Sequence, residues 1–153
     1  GDIDSSDMNC SGNDDDEQPA SSAIESVEPA WTGVGSPNAG FLRDDALLVV
    51  VAITDEDEQP RPGANAHEIY DRLVAVKGDV NKLVFLGIGG ASSCGNGTYG
   101  AAKHAEKLED VANLFIAQQH GVFWDLCQGN LEQGLAQALA TIDTACEQFP
   151  TIF

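Results

Sequence analysis

The chain has 153 residues, of which 42% are hydrophobic, and this length and composition suit one compact domain with one core. It carries 7 Lys and Arg residues against 25 Asp and Glu residues, which gives a formal net charge of −18. The negative field repels phosphate groups and anionic headgroups, so binding to nucleic acid or to a membrane surface is disfavoured. The same field attracts divalent cations and basic protein partners.

In the first third of the chain, the residue patterns predict an acidic tail, a helix and a strand. Residues 1–17 are rich in Asp and Glu and contain a single Ile, which predicts a loop or tail. A short helix is predicted at 18–27, with Pro19 in its first turn, and a Gly- and Pro-rich connector follows at 29–40. The run at 46–54 (ALLVVVAIT) is rich in β-branched residues and predicts a strand buried on both faces of a parallel sheet.

The rest of the chain alternates helical and extended patterns. In order, the patterns predict a helix at 64–77, a strand at 82–88, a glycine-rich loop at 89–97, a helix at 99–119, a strand at 121–126, and a last helix capped by Asn130 and ended by Pro150. This order predicts an α/β protein with a parallel sheet and helices on both faces. No apolar run reaches the roughly 18 residues that a membrane span requires, so we expect a soluble chain.

Carboxylates are concentrated where the predicted strand at 46–54 ends. In a parallel sheet with helices on both faces, ligands bind beyond the carboxyl ends of the strands, here 54–58 (TDEDE), 87–97 and 125–129. Clustered carboxylates repel one another unless a cation or solvent compensates their charge. The segment at 54–58 therefore predicts either a site for a hard divalent cation or a solvated acidic turn.

Several segments resemble the C-terminal half of von Willebrand factor type A domains, in particular those of bacterial cell-envelope and secreted proteins. The segment FLRDDALLVVVAITDEDE (41–58) resembles strand four, and EQPASSAIESVEP (17–29) is similar to the helix before it. KLVFLGIGG (82–90) is similar to strand five, and the segment beginning GVFWDL (121–149) to strand six and its closing helix. The resemblance implies a doubly wound sheet of order 3-2-1-4-5-6, of which residues 18–153 form the C-terminal part and the N-terminal strands are absent from this chain.

The resemblance also implies a metal site. The family's metal-ion-dependent adhesion site combines an Asp-x-Ser-x-Ser motif after strand one, a Thr from a later loop and an Asp after strand four. Asp55 matches the strand-four Asp, and Glu56, Asp57 and Asp125 are outer candidates for binding Mg²⁺, Mn²⁺ or Ca²⁺. A carboxylate from a protein partner would complete the coordination. The segment DSSDM at 4–8 is rejected as the first motif, because Met replaces the final Ser and no apolar strand precedes it.

The leading functional hypothesis is a metal-ion-dependent protein-binding or adhesion module of an extracytoplasmic protein. The alternative is a structural or assembly subunit that uses the same fold without a functional metal site. An enzyme is the weakest hypothesis, because the chain lacks a Gly-x-Ser-x-Gly elbow and residues 87–92 lack the third glycine of a dinucleotide fingerprint. His67, His104 and His120 have no partner at zinc-ligand spacing, and we predict that they lie on the surface.

The spacing of the four cysteines excludes the CxxC pairs of zinc and thioredoxin-like sites. The strong acidity and the Asn-x-Ser/Thr sequons at Asn9 and Asn96 favour an oxidising extracytoplasmic location. Cys94 and Cys127 both follow predicted strands at the carboxyl edge, so we predict that they form a disulfide. A helix rises about 1.5 Å per residue, which carries Cys146 roughly 20 Å from the start of the last helix and excludes a bond to Cys127. We expect Cys10 near the carboxyl edge, and Cys146 as a buried thiol or bonded to sequence outside this chain.

The predicted strand at 46–54 has no device that protects an edge. It contains no Lys, Pro or bulge-forming residue, and an unpaired apolar strand invites pairing with another chain. We therefore predict that it is paired on both sides in the working protein. The second neighbour would come from a missing N-terminal half of the same precursor or from another copy.

Overall fold

The computed structural model describes residues 17–58 and 65–149. The helices in these ranges are α1 (Pro19–Val27), α2 (Pro29–Thr32), α3 (Ala66–Lys77), α4 (Glu106–Ile116) and α5 (Leu131–Gln148), and the strands are β1 (Leu48–Ile53), β2 (Leu83–Gly89), β3 (Cys94–Gly97), β4 (Gly100–Ala102) and β5 (Gly121–Asp125). Short 3-10 turns lie at Val80–Lys82 and Leu126–Gln128. Within the described ranges, no helix combines the length and the apolar character of a membrane span.

Strands β1, β2 and β5 form a parallel sheet with β2 in the centre. All seven residues of β2 are buried, because the strand has a neighbour on each side and helices pack against the sheet. The chain is therefore an α/β protein with a three-stranded parallel sheet, as the alternation of patterns predicts.

Helices α1, α3 and α4 cover the first face of the sheet. Their apolar residues pack against Leu48, Val50, Leu83 and Phe85 in one buried cluster. The rings of Phe85 and Phe115 stack with centroids 5.3 Å apart, and this contact joins β2 to α4. The 3.6-residue periods of α3 and α4 place their buried residues on this face.

Helix α5 covers the second face over β2 and β5. Leu86, Ile88, Trp124 and Ala138 form a separate buried cluster there. The Trp124 indole nitrogen donates a hydrogen bond to the carbonyl oxygen of Gly129 at 2.8 Å, so its one polar group is satisfied. Trp124 is therefore part of the core on this face, and helices lie on both faces of the sheet, as the order of the patterns predicts.

The predicted burial of the first strand is wrong. Strand β1 alternates, with Leu48, Val50 and Ala52 buried on the first face. Val49, Val51 and Ile53 on the second face are 38%, 50% and 56% exposed. The physical reason is that α5, which covers the second face, packs on β5 and β2. A run of apolar residues predicts a strand, but it does not show which of the two faces of the strand a helix covers.

The predicted helix at 99–119 begins later than expected. Residues Cys94–Gly97 and Gly100–Ala102 form the antiparallel hairpin β3–β4 within the segment that the sequence predicts as loop and helix start. Gly100 has φ +114°, a conformation that glycine adopts readily, and it allows the chain to reverse before α4. Asn130 is the N-cap residue of α5, as predicted, but it has φ 52° and its side chain makes no cap hydrogen bond.

Candidate functional site

The carboxyl ends of β1, β2 and β5 lie at one edge of the sheet, where the acidic segment at 54–58 follows β1. Each acidic side chain at this edge has a different environment. The partners of these carboxylates decide what the edge can do chemically.

Glu58 is buried, with 1% of its surface exposed, and it caps helix α1. Its Oε2 accepts a hydrogen bond from the Ala20 amide and its Oε1 accepts one from the Ser21 amide, both at 2.9 Å. Sequence reasoning missed this role. The available signal is that the N-cap residue of α1 is Gln18, which provides no side-chain cap, so the first amides of the helix need an acceptor from elsewhere.

Asp57 has the same role at helix α4. Its Oδ1 accepts hydrogen bonds from the amides of Lys107 at 2.9 Å and Leu108 at 3.4 Å. The N-cap residue of α4 is Ala105, which has no side-chain acceptor. Asp57 therefore accepts hydrogen bonds from the amides in the first turn of α4, and its negative charge interacts favourably with the positive end of the helix dipole.

Glu56 pairs with Lys103, whose ammonium lies 2.7 Å from the Glu56 carboxylate. The hydrogen bond from Lys103 to Glu56, together with the charge of Glu56, raises the pKa of Lys103 above its ordinary value of 10.5. The Lys103 amide also donates to the carbonyl oxygen of Asp55 at 2.7 Å. These contacts join the segment after β1 to the segment after the β3–β4 hairpin.

Asp125 holds two backbone segments at the end of β5. Its Oδ1 accepts hydrogen bonds from the Ala91 amide at 3.1 Å and the Cys127 amide at 3.0 Å. Asp55, in contrast, is exposed, next to the Thr54 hydroxyl that donates to Glu17. In residues 17–58 and 65–149, no group of three or more His, Cys, Asp and Glu side chains is arranged to hold a metal ion.

The structure pairs Cys94 with Cys127 as a disulfide, with the two Cα atoms 5.9 Å apart. This bond ties the β3–β4 hairpin to the turn after β5. Cys146 is exposed, so the expectation of a buried thiol is wrong. On α5 the residues that face the sheet are Gly134, Ala138 and Ala145, and Cys146 follows one position later, about 100° further round the helix. Cys10 lies outside the described residues, as does the segment at 4–8.

His120 is buried, with 3% of its surface exposed, so its predicted surface position is wrong. It directly precedes β5, and its carbonyl oxygen accepts a hydrogen bond from the Phe85 amide at 3.0 Å, which places it within the sheet. His67 and His104 are exposed as predicted. His104 Nε2 lies 3.2 Å from a carboxylate oxygen of Glu109.

The other candidate site is the unpaired side of β1. The Thr54 amide donates to the Ile88 carbonyl oxygen at 3.0 Å, and alternate residues of a strand point their amides the same way. Val50 and Ala52 therefore bond to β2, whereas the amide and carbonyl groups of Val49, Val51 and Ile53 point away from it. No strand within the described ranges pairs with that side. We call this row of backbone groups, with the exposed side chains of Val49, Val51 and Ile53, the β1 edge.

Depressions lie at both ends of the β1 edge. At the amino end a groove of about 220 Å³ is lined in part by Phe41, Arg43, Val49 and Lys77. Lys77 Nζ donates to the Ala46 carbonyl oxygen at 2.8 Å, and burial lowers the pKa of Lys77. At the carboxyl end an open cleft of about 510 Å³ is lined by residues that include Ile53.

Comparisons of the chain with protein-family models, with curated proteins and with solved structures gave no match.

Proposed function

We propose that this chain is a protein-binding module that takes up an extended partner strand along the β1 edge. One observation carries the proposal. Val49, Val51 and Ile53 have exposed apolar side chains, and the backbone groups of the same three residues point away from β2. Added strands gain affinity from main-chain hydrogen bonds and specificity from side-chain contacts. The β1 edge offers both.

The composition of β1 supports a binding role. Natural edge strands are usually protected by Lys, Pro, a bulge or a covering element, and β1 (LVVVAI) carries none of these residues. Its pairing with β2 runs in unbroken register from Leu48 to Ile53. The grooves at its two ends lengthen the surface that a partner segment can contact.

We also propose that the chain is the C-terminal half of a von Willebrand type A-like domain. The order β1-β2-β5 is the order expected for strands four, five and six of that family, and within the described residues the position beside β1 is open to a strand of another chain. Residues 1–17 are then an acidic extension. The disulfide between Cys94 and Cys127 supports an extracytoplasmic location, because such bonds persist in oxidising compartments.

A divalent cation site at Asp55 is the second candidate. Asp55 is exposed at the carboxyl end of β1, and it lines one cleft together with Thr54 and Glu17. Glu56, Asp57 and Asp125 each make hydrogen bonds to the chain itself, so they fit a ligand role only if those bonds are given up. Asp55 is therefore the residue on which a metal-dependent function depends.

Thermal melting with Mg²⁺, Mn²⁺ or Ca²⁺ tests the cation site. A cation at 100 times its Kd adds about 2.7 kcal/mol to the free energy of unfolding and raises the melting temperature. We expect this rise in the wild type and in the control Asp110→Asn, but not in Asp55→Ala. If none of the three cations changes the melting temperature of the wild type, the metal-dependent function is excluded.

A strand peptide tests the main proposal. The probe is a short synthetic peptide of alternating Val and Thr residues flanked by Lys, followed by amide hydrogen exchange of the protein. We expect the peptide to slow exchange at Val49, Val51 and Ile53. A matched peptide N-methylated at the residues that face β1 should have no effect, because it cannot donate. Absence of protection at these three amides, even at saturating soluble peptide, would contradict the proposal.

A further inference from the structure

The β1 edge is complementary to itself. We propose that its partner is a second copy of this chain, paired antiparallel about a two-fold axis beside Val51, which joins two three-stranded sheets into one. This inference rests on the proposed function and adds the identity, direction and register of the partner strand.

The pairing follows from which residues face outward. In an antiparallel pair, outward-facing residues that lie opposite each other exchange both of their backbone hydrogen bonds. With the axis at Val51, Val51 lies opposite Val51 of the second copy, and Val49 lies opposite Ile53 of the second copy. Every outward-facing residue of β1 is then paired. A slip of one residue would instead place the groups that bond to β2 against the second copy.

The side chains fit the same register. Val49, Val51 and Ile53 project from one face of the sheet, so their counterparts from the second copy project from the same face of the joined sheet. The cross-strand pairs are Val with Val and Val with Ile, and β-branched side chains suit such pairs. Each of the three is at least 38% exposed in the single chain, so contact with its cross-strand neighbour removes part of this apolar surface from water.

Charge selects the antiparallel direction. The carboxyl end of β1 carries Asp55 and Glu56, with Lys103 as the basic partner, whereas Lys77 lies against the carbonyl oxygen of Ala46 at the amino end. The amino end also carries the basic Arg43 and the acidic residues at 44–45. Antiparallel pairing brings the acidic end of each copy to the mixed end of the other, whereas parallel pairing would align the two acidic ends.

The net charge of −18 per copy opposes association, so the test is made at about 0.15 M salt, where the screening length is about 8 Å.

Register-specific cross-linking tests the proposal. The background is the chain of 153 residues with Cys10→Ser and Cys146→Ser, in which Cys94 and Cys127 are the remaining native cysteines. Under mild oxidation Val51→Cys should form a covalent dimer, because opposite residues have Cα atoms about 5.5 Å apart. Val49→Cys alone and Ile53→Cys alone should stay monomeric, because each is offset from its own counterpart by about 13 Å. A mixture of these two variants should cross-link.

Sedimentation of the uncross-linked protein provides the second readout. We expect the wild type and the control Val34→Lys, which lies on the exposed connector, to dimerise, and Val51→Lys to be monomeric. A wild type that is monomeric at every concentration, or a dimer that Val51→Lys does not weaken, overturns the second-copy proposal. Self-cross-linking of Val49→Cys while Val51→Cys stays inert overturns the register. If the monomeric wild type still protects its β1 amides with the strand peptide, the proposed function stands without the second copy; if it does not, both fall.

Discussion

Glu58 is the buried carboxylate on which the position of α1 depends. Each of its oxygens accepts one amide hydrogen bond from the first turn of that helix. Glu58→Gln keeps one acceptor oxygen and turns an NH₂ group towards the other amide, so one buried donor loses its acceptor. We expect the free energy of unfolding to fall by about 1–3 kcal/mol in urea denaturation. Glu147→Gln, at an exposed position on α5, is the control and should change it by less than about 0.5 kcal/mol.

Lys103 is the residue whose titration reports the contact between the segments after β1 and β4. The Glu56 hydrogen bond and charge raise its pKa, so the pair stabilises the fold fully below the ordinary pKa of 10.5. That stability is lost as the pH rises through the higher pKa of the folded state. We expect Glu56→Gln to lower the pKa of Lys103 towards 10.5 in an NMR titration of its side chain. An unchanged pKa in this variant would mean that the two side chains do not pair in solution.

The acidic segment at 54–58 also shows what sequence alone can and cannot give at the residue scale. Its position at the end of a strand is predictable, because a buried apolar run stops there. The partners are not, because the amide donor at Ala20 is 38 residues from Glu58 and the donor at Lys107 is 50 residues from Asp57. Carboxylates that cap distant helices have the same local pattern as carboxylates that bind a cation.

At the scale of elements, the β3–β4 hairpin depends on the disulfide. Its strands have only four and three residues, and neither of them is fully buried. The bond between Cys94 and Cys127 closes a loop with a sequence separation of 33, for which the chain-entropy model gives about 3–4 kcal/mol.

The double variant Cys94→Ser/Cys127→Ser tests this dependence. We expect it to lower the free energy of unfolding by about 2–4 kcal/mol and to speed amide exchange in residues 94–102 more than in β2. Non-reducing peptide mapping of the wild type checks the pairing itself. A bond from Cys127 to Cys146 would contradict the topology.

The sequence predicts the helices and strands that have a strong apolar period. It does not predict which faces of the sheet the helices cover. The spacing of apolar residues locates α3 and α5, and Gly78 ends α3 in a left-handed conformation that glycine adopts readily. The hairpin at 94–102 is built from glycine and small residues and has no apolar period, so the sequence does not predict it. The sequence predicts that the outer face of β1 is buried, because an apolar run carries no information on how many helices are available to cover it.

At the scale of the whole molecule, the sheet has unequal edges. Strand β2 is enclosed on both sides, β5 is a short edge next to α5, and β1 is an apolar edge with one face exposed. The formal net charge of −18 disfavours association with phosphate-rich partners, and at low salt it disfavours association between copies of the chain. We therefore expect contact with another protein at the β1 edge, where neutral apolar residues lie in a row.

Amide hydrogen exchange along β1 in the dilute, monomeric chain tests whether the outer side of β1 is open. We expect two interleaved sets of exchange rates. The amides of Val50, Ala52 and Thr54 exchange slowly because they donate to β2, and those of Val49, Val51 and Ile53 exchange orders of magnitude faster because they point into solvent. Equal protection of both sets in a chain shown to be monomeric would mean that the edge is already covered, and it would contradict the assignment of the β1 edge as a docking surface.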